Sequence, residues 1–137
     1  DIGIPKTLAL LEQLEAINPY LNYEAYTERV IPANAVRLFA GCDVVCEAFD
    51  RADQKAMLIE TLLVRLPDTP IVSGSGMAGY GSANAMRIEQ KFSRLYVCGD
   101  GTSDIADGIG LMAPRVAVCA AQQATMAMRL RLGERDP

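Results

Sequence analysis

Cys42-Asp43-Val44-Val45-Cys46-Glu47-Ala48-Phe49-Asp50-Arg51 is the stretch on which the fold turns. Residues 43–49 form a short apolar run, the pattern of a strand buried on both faces. Asp50 closes the run where a helix can begin, and as a helix cap it could start one that continues to about residue 66. Along that helix Ala52, Ala56, Ile59, Leu63 and Leu66 make one apolar stripe, and Pro67 ends it. Residues 69–73 read as a second short buried strand, so the stretch opens a strand–helix–strand unit. Upstream, residues 4–17 form a helix with Leu10, Leu14 and Ile17 at i, i+4 and i+7 and Leu8 and Leu11 beside them. Pro5 suits its first turn and Asn18-Pro19 stops it. Residues 21–30, rich in Tyr and Val, read as a strand, and 34–39 as a short helical turn. Downstream lies a glycine-rich turn over 74–81. A strand over 86–92 follows, in which Met86, Ile88 and Phe92 alternate with Arg87, Glu89 and Lys91. A further strand over 95–98, a loop over 99–112 and a closing helix over 114–132 complete the chain. Helices and strands in alternation predict an α/β fold in one domain over 1–137. Its sheet is expected to be mostly parallel and Rossmann-like, with flanking helices and antiparallel strands toward the C-terminal half. Ligands of such sheets sit at the carboxyl ends of the strands.

The bulk properties exclude several classes. A formal net charge of −4 on 137 residues argues against nucleic acid as a partner. No apolar run approaches the roughly 20 residues that span a bilayer. The opening residues have no cationic-then-apolar leader, so a cytoplasmic protein with reduced, buried thiols is expected. The four cysteines (Cys42, Cys46, Cys98 and Cys119) form no C-x-x-C pair and the chain has no histidine, so no zinc is expected.

Three places carry candidate chemistry. Asp50 lies where a buried strand meets a helix. A carboxylate there faces the ligand crevice and can hold Mg²⁺ on a nucleotide phosphate; the plainer reading is the helix cap. Lys6 lies in a helix first turn, where the macrodipole disfavours a cation; it is a candidate phosphate ligand or a solvated surface lysine. Gly74-Ser75-Gly76-Met77-Ala78-Gly79 matches G-x-G-x-x-G after a strand, with Asp100 about twenty residues on, the spacing of a dinucleotide site. That reading, an NAD-binding oxidoreductase domain, requires a helix from Ser82. The period-two alternation after it instead favours a turn between strands.

Four segments together resemble the ThiF/MoeB/HesA family, the ubiquitin-activating-enzyme-like adenylyltransferases of sulfur carrier proteins. Ile2-Gly3-Ile4-Pro5-Lys6, a helix and Ile17-Asn18-Pro19 resemble its G-x-x-K segment and N-P turn. Residues 42–51 resemble its D-V-V-x-D/E-A-x-D-N/R strand. Pro70-Ile71-Val72-Ser73-Gly74 resembles P-x-V-S-G. Ala113-Pro114-Arg115-Val116 with Gln123-Ala124 resembles the closing helix. The glycine stretch with Tyr96-Val97-Cys98-Gly99-Asp100 is similar to a ThiF-like branch, which points to thiamine biosynthesis among possible pathways. The resemblance implies an enzyme that binds ATP and Mg²⁺ and adenylylates the C-terminal carboxylate of a ubiquitin-like sulfur carrier protein. It places Lys6 on the phosphate-binding lysine and Asp50 on the magnesium-binding aspartate.

The family's glycine-rich first βαβ unit, its ribose-binding acid and its arginine have no counterpart here, nor does its zinc-binding cysteine tetrad. The 99–112 loop holds no cysteine, and Cys98 at its border reads as a buried structural thiol. A C-terminal portion of an adenylation domain, inactive by itself, is therefore expected. In the family's sheet two strands would separate 21–30 from 43–49. Closing that gap calls for a companion chain, a homo-oligomer, or movement of 21–30. A non-catalytic interaction module of the same fold is the remaining alternative.

Overall fold

The computed structural model describes residues 2–137. The chain makes two compact units, one through residue 30 and the other from residue 31 to the end.

The first unit contains helix α1 (Lys6–Ile17). Pro5 precedes its first turn, and the N–H of Asn18 closes the last turn on the Leu14 carbonyl. No α1 residue is buried, and Leu10 and Ile17, expected on its inner stripe, are exposed. Residues 21–30 form no strand, contrary to the sequence expectation. Tyr and Val favour a pleated surface only where a neighbouring strand supplies hydrogen bonds, and none pairs here. The segment is held by side chains instead: Tyr23 donates to the Asn18 carbonyl and Tyr26 to Glu24.

The second unit is an α/β layer structure. Its elements are α2 (Pro32–Phe39), β1 (Val45–Glu47), α3 (Ala52–Arg65), β2 (Ile71–Gly74), β3 (Arg87–Lys91), β4 (Leu95–Gly99) and α4 (Ala113–Arg131). The sheet runs β1-β2-β4-β3. β1, β2 and β4 are parallel, with Cys46 beside Val72 and Val72 beside Tyr96, while β3 returns antiparallel to β4. Strand alternation sends Val72, Tyr96 and Cys98 to one face, where they pack with Met86 and with Cys119 and Met126 of α4. Val45, Ile71 and Leu95 share the other face. α3 packs on β1 and α2, but not through the expected stripe: Leu58 and Leu62 are buried, whereas Ala52 and Ala56 are exposed. Lys55 therefore falls on the inward stripe of α3, one turn ahead of Leu58.

The glycine stretch is a turn, as the alternation required. After Gly74 the chain passes through a single 3-10 turn (Ala83–Ala85) and enters β3, so no helix starts at Ser82. At Gly76, with φ of 77°, an added Cβ would lie 2.1 Å from an Asp100 carboxylate oxygen, so only glycine lets these two loops meet.

Candidate active site

The carboxyl ends of the parallel strands open into a cavity of about 350 Å³. β1 delivers Ala48, Phe49 and Asp50 to one wall. β2 runs out into Gly74-Ser75-Gly76 on the floor, and Gln123 of α4 closes the back. Gln123 ties the site together by donating to the Glu47 carbonyl at 2.9 Å and to the Val72 carbonyl at 3.5 Å. Its amide thus ties the ends of β1 and β2 to α4.

Asp50 is exposed on the cavity wall and does not cap α3. The helix N-cap is Arg51, which makes no capping bond and pairs instead with Asp53. The chain turns one residue later than the cap reading requires, which leaves the Asp50 carboxylate to the cavity. Lys6 lies in the other compact unit. It is exposed at the start of α1, in a shallow recess with Pro5, Thr7 and the 26–29 segment, where the Thr7 and Thr27 hydroxyls bond at 2.7 Å.

Asp100 is not available to a ribose. Its Oδ1 accepts from the Thr102 and Ser103 amides and the Ser103 hydroxyl, and Arg115 grips its Oδ2 at 2.5 Å. Desolvation would raise this carboxyl; the Ser103 and Thr102 amides, the Ser103 hydroxyl and the Arg115 charge together hold it down to about 2. With its helix absent and its acid engaged, the dinucleotide reading falls. The glycines and Asp100 instead clamp the 99–103 loop to the turn after β2, and the bonds from Asp100 N to the Gly76 carbonyl and from Gly101 N to the Ser75 carbonyl complete the clamp.

Sequence reading missed Glu47 and Lys55. Glu47 is buried at the end of β1, where its Oε2 accepts from Lys55 Nζ at 2.6 Å and from Ser73 Oγ at 2.5 Å, and its Oε1 accepts from the Phe49 amide. The signal was present: one charge inside an apolar strand and another on the inward stripe of the next helix, eight residues apart. Among the described residues no group of three or more His, Cys, Asp or Glu side chains could hold a metal ion. The carboxylates on the cavity wall are Asp50 and Asp104, and Mg²⁺ is commonly bound by one or two carboxylates together with substrate phosphates.

The cysteines divide by burial. Cys98 and Cys119 are buried, as expected of structural thiols, whereas Cys42 and Cys46 are exposed, contrary to the expectation of uniformly buried thiols. Burial, aided by the neighbouring Cys119 and Cys46, pushes Cys98 up to about 12. Burial also raises Cys119, against the opposing charge of Lys55.

A parallel sheet with a carboxylate at a strand tip is common to many nucleotide-binding folds. The pattern of the whole chain decides among them, because residues 1–137 match the ThiF family along their full length. The chain belongs to the ThiF family. The Yarrowia lipolytica adenylyltransferase and sulfurtransferase UBA4 is 23% identical over 145 residues, covering 97% of this chain and 34% of that protein. The Thermus thermophilus sulfur carrier protein adenylyltransferase is 31% identical over 75 residues, covering 55% of this chain and 27% of its own length. The E. coli tRNA N6-threonylcarbamoyladenosine dehydratase TcdA, solved with AMP, superposes with a TM-score of 0.76 at 16% identity, over 96% of this chain and 66% of that one. The chain thus spans between about a quarter and a third of the length of the two curated relatives, UBA4 and the Thermus adenylyltransferase. Among its described residues no helix is long and apolar enough to cross a membrane.

Proposed function

We propose that the protein carrying this chain adenylylates the C-terminal carboxylate of a ubiquitin-like sulfur carrier protein, using ATP and Mg²⁺. The observation that carries the reading is Asp50, released from capping and set on the cavity wall at the carboxyl ends of the parallel strands. Membership of the ThiF family supports it, as do relatives named as adenylyltransferases, one of them of a sulfur carrier protein, and a fold neighbour solved with AMP and with ATP. In this reading Asp50 holds the magnesium ion; a phosphate-binding role for Lys6, in the other compact unit, is proposed separately, on the resemblance of its segment alone. Bound magnesium supplies charge neutralisation on the triphosphate. The carrier's tail enters the cavity at the carboxyl ends of the parallel strands.

The chain by itself is proposed to be inactive, and β1, paired on one side only, is proposed to meet a second copy or a companion chain. ATP–pyrophosphate exchange tests the reading. In the full protein Asp50→Asn should lower exchange by on the order of a hundredfold or more, and near-normal exchange would remove Asp50 from the site. Robust exchange by residues 1–137 alone would refute the proposed inactivity.

A further inference from the structure

Lys55 and Glu47 make a buried ion pair that the reaction just proposed leaves without a task. The Glu47 side chain is completely buried, and that of Lys55 retains 20% exposure. Buried pairs of this kind rarely add stability over apolar residues of similar volume. This pair is also asymmetric: Glu47 lies inside the strand layer, while Lys55 lines the cavity. Glu47 is fully supplied with donors, from Lys55, Ser73 and the Phe49 amide. The ammonium is not, since it carries three protons and Glu47 is its one partner among the described residues. Its remaining protons have the cavity to face.

The charges on the cavity wall give that orientation a consequence. Asp50 and Asp104 line the cavity as carboxylates, and Lys55 is the one cationic side chain among its lining residues. An oxyanion entering the cavity finds no other cation of this unit there. The short contact to Glu47, whose carboxylate Ser73 also holds, fixes the lysine ammonium in advance, so little rotamer entropy remains to be lost when a ligand binds.

We propose that Lys55, oriented by buried Glu47 and Ser73, is the residue that binds an oxyanion of the ligand in this cavity, with Glu47 as its positioning residue. The oxyanion is a phosphate of the nucleotide or the carboxylate of the acceptor tail. This assignment rests on the cavity being the ligand site of the proposed reaction.

Binding to the full protein, followed by NMR chemical shifts, is the test. The probes are inorganic pyrophosphate with Mg²⁺, and N-acetylglycine with N-acetylglycinamide as its uncharged control. Lys55→Met should weaken binding of the recognised anion by on the order of tenfold or more, and Lys55→Arg should retain most of it. The Glu47→Gln, Lys55→Met double variant removes the buried charges together and guards against a simple folding defect. If the pair is merely structural, this variant binds the anion as the wild type does, and the proposal is overturned. If Lys55 is the contact, the double variant stays weak although its melting temperature recovers. Binding of pyrophosphate alone assigns the phosphate source, and binding of N-acetylglycine but not the amide assigns the carboxylate. Wild-type binding of neither anion overturns the proposal. Lysine-dependent anion binding without any ATP–pyrophosphate exchange by the full protein would leave it standing and remove adenylylation instead.

Discussion

Asp100 shows how a single side chain holds a loop. Its carboxylate accepts from two amides and from the Thr102 and Ser103 hydroxyls and meets Arg115, all within residues 100–115. Its pKa of about 2 lies below the ~3.9 of an unfolded aspartate. The stabilisation is therefore complete above about pH 4 and is lost as the pH falls toward 2. Asp100→Asn should lower the melting temperature at pH 7 by roughly 5 °C. Followed by circular dichroism, the gap from wild type should shrink as the pH is taken from 4 to 2. A gap that stays constant through that range would mean that the charge contributes nothing. Asp50 illustrates the opposite case, in which the absence of a local hydrogen-bonding duty marks the residue. Its exchange defect in Asp50→Asn should appear without a matching loss of melting temperature, because its side chain caps no helix.

At the scale of elements, β1 and α3 depart most from their sequence patterns. Alternation along β1 buries Val45 and Glu47 and exposes Cys46. The structure predicts that Ellman's reagent reaches Cys42 and Cys46 in the native protein and reaches Cys98 and Cys119 only in denaturant. Its surroundings raise the Cys46 thiol, so its rate should climb with pH beyond neutrality. Four thiols reacting at one rate in the folded state would contradict this packing. In α3 the inward stripe runs through Lys55, Leu58 and Leu62 rather than through the small residues. Leu62 is fully buried, so Leu62→Ala should cost about 2–5 kcal/mol in chemical denaturation. The matching change at Val64, which is exposed, should cost little.

For the molecule as a whole, the sheet ends at β1, whose outer side pairs with no strand among the described residues. Residues 21–30 do not fill that place, because they form no strand. We propose that in the isolated chain self-association or a companion chain covers the edge. Sedimentation of residues 1–137 should therefore show species heavier than 14.8 kDa that grow with concentration. A monodisperse monomer would count against self-association. Amide exchange in β1 that stays fast after a proposed companion is added would count against that companion.

The order of helices and strands in residues 31–137 was legible in the chain, since periodicity, prolines and glycine punctuation are local properties. Family membership was legible too, because it lay in the order and spacing of several weak motifs. A strand over 21–30 was not determined locally, because a strand exists only when another supplies its hydrogen bonds. The true face of α3 depends on what the helix meets, and no stripe counted along one helix reveals that. The Glu47–Lys55 contact joins two elements through a turn whose geometry decides whether the charges meet. Only the folded sheet could take Asp50 from helix cap to cavity wall, because a one-residue difference in where the chain turns separates those roles.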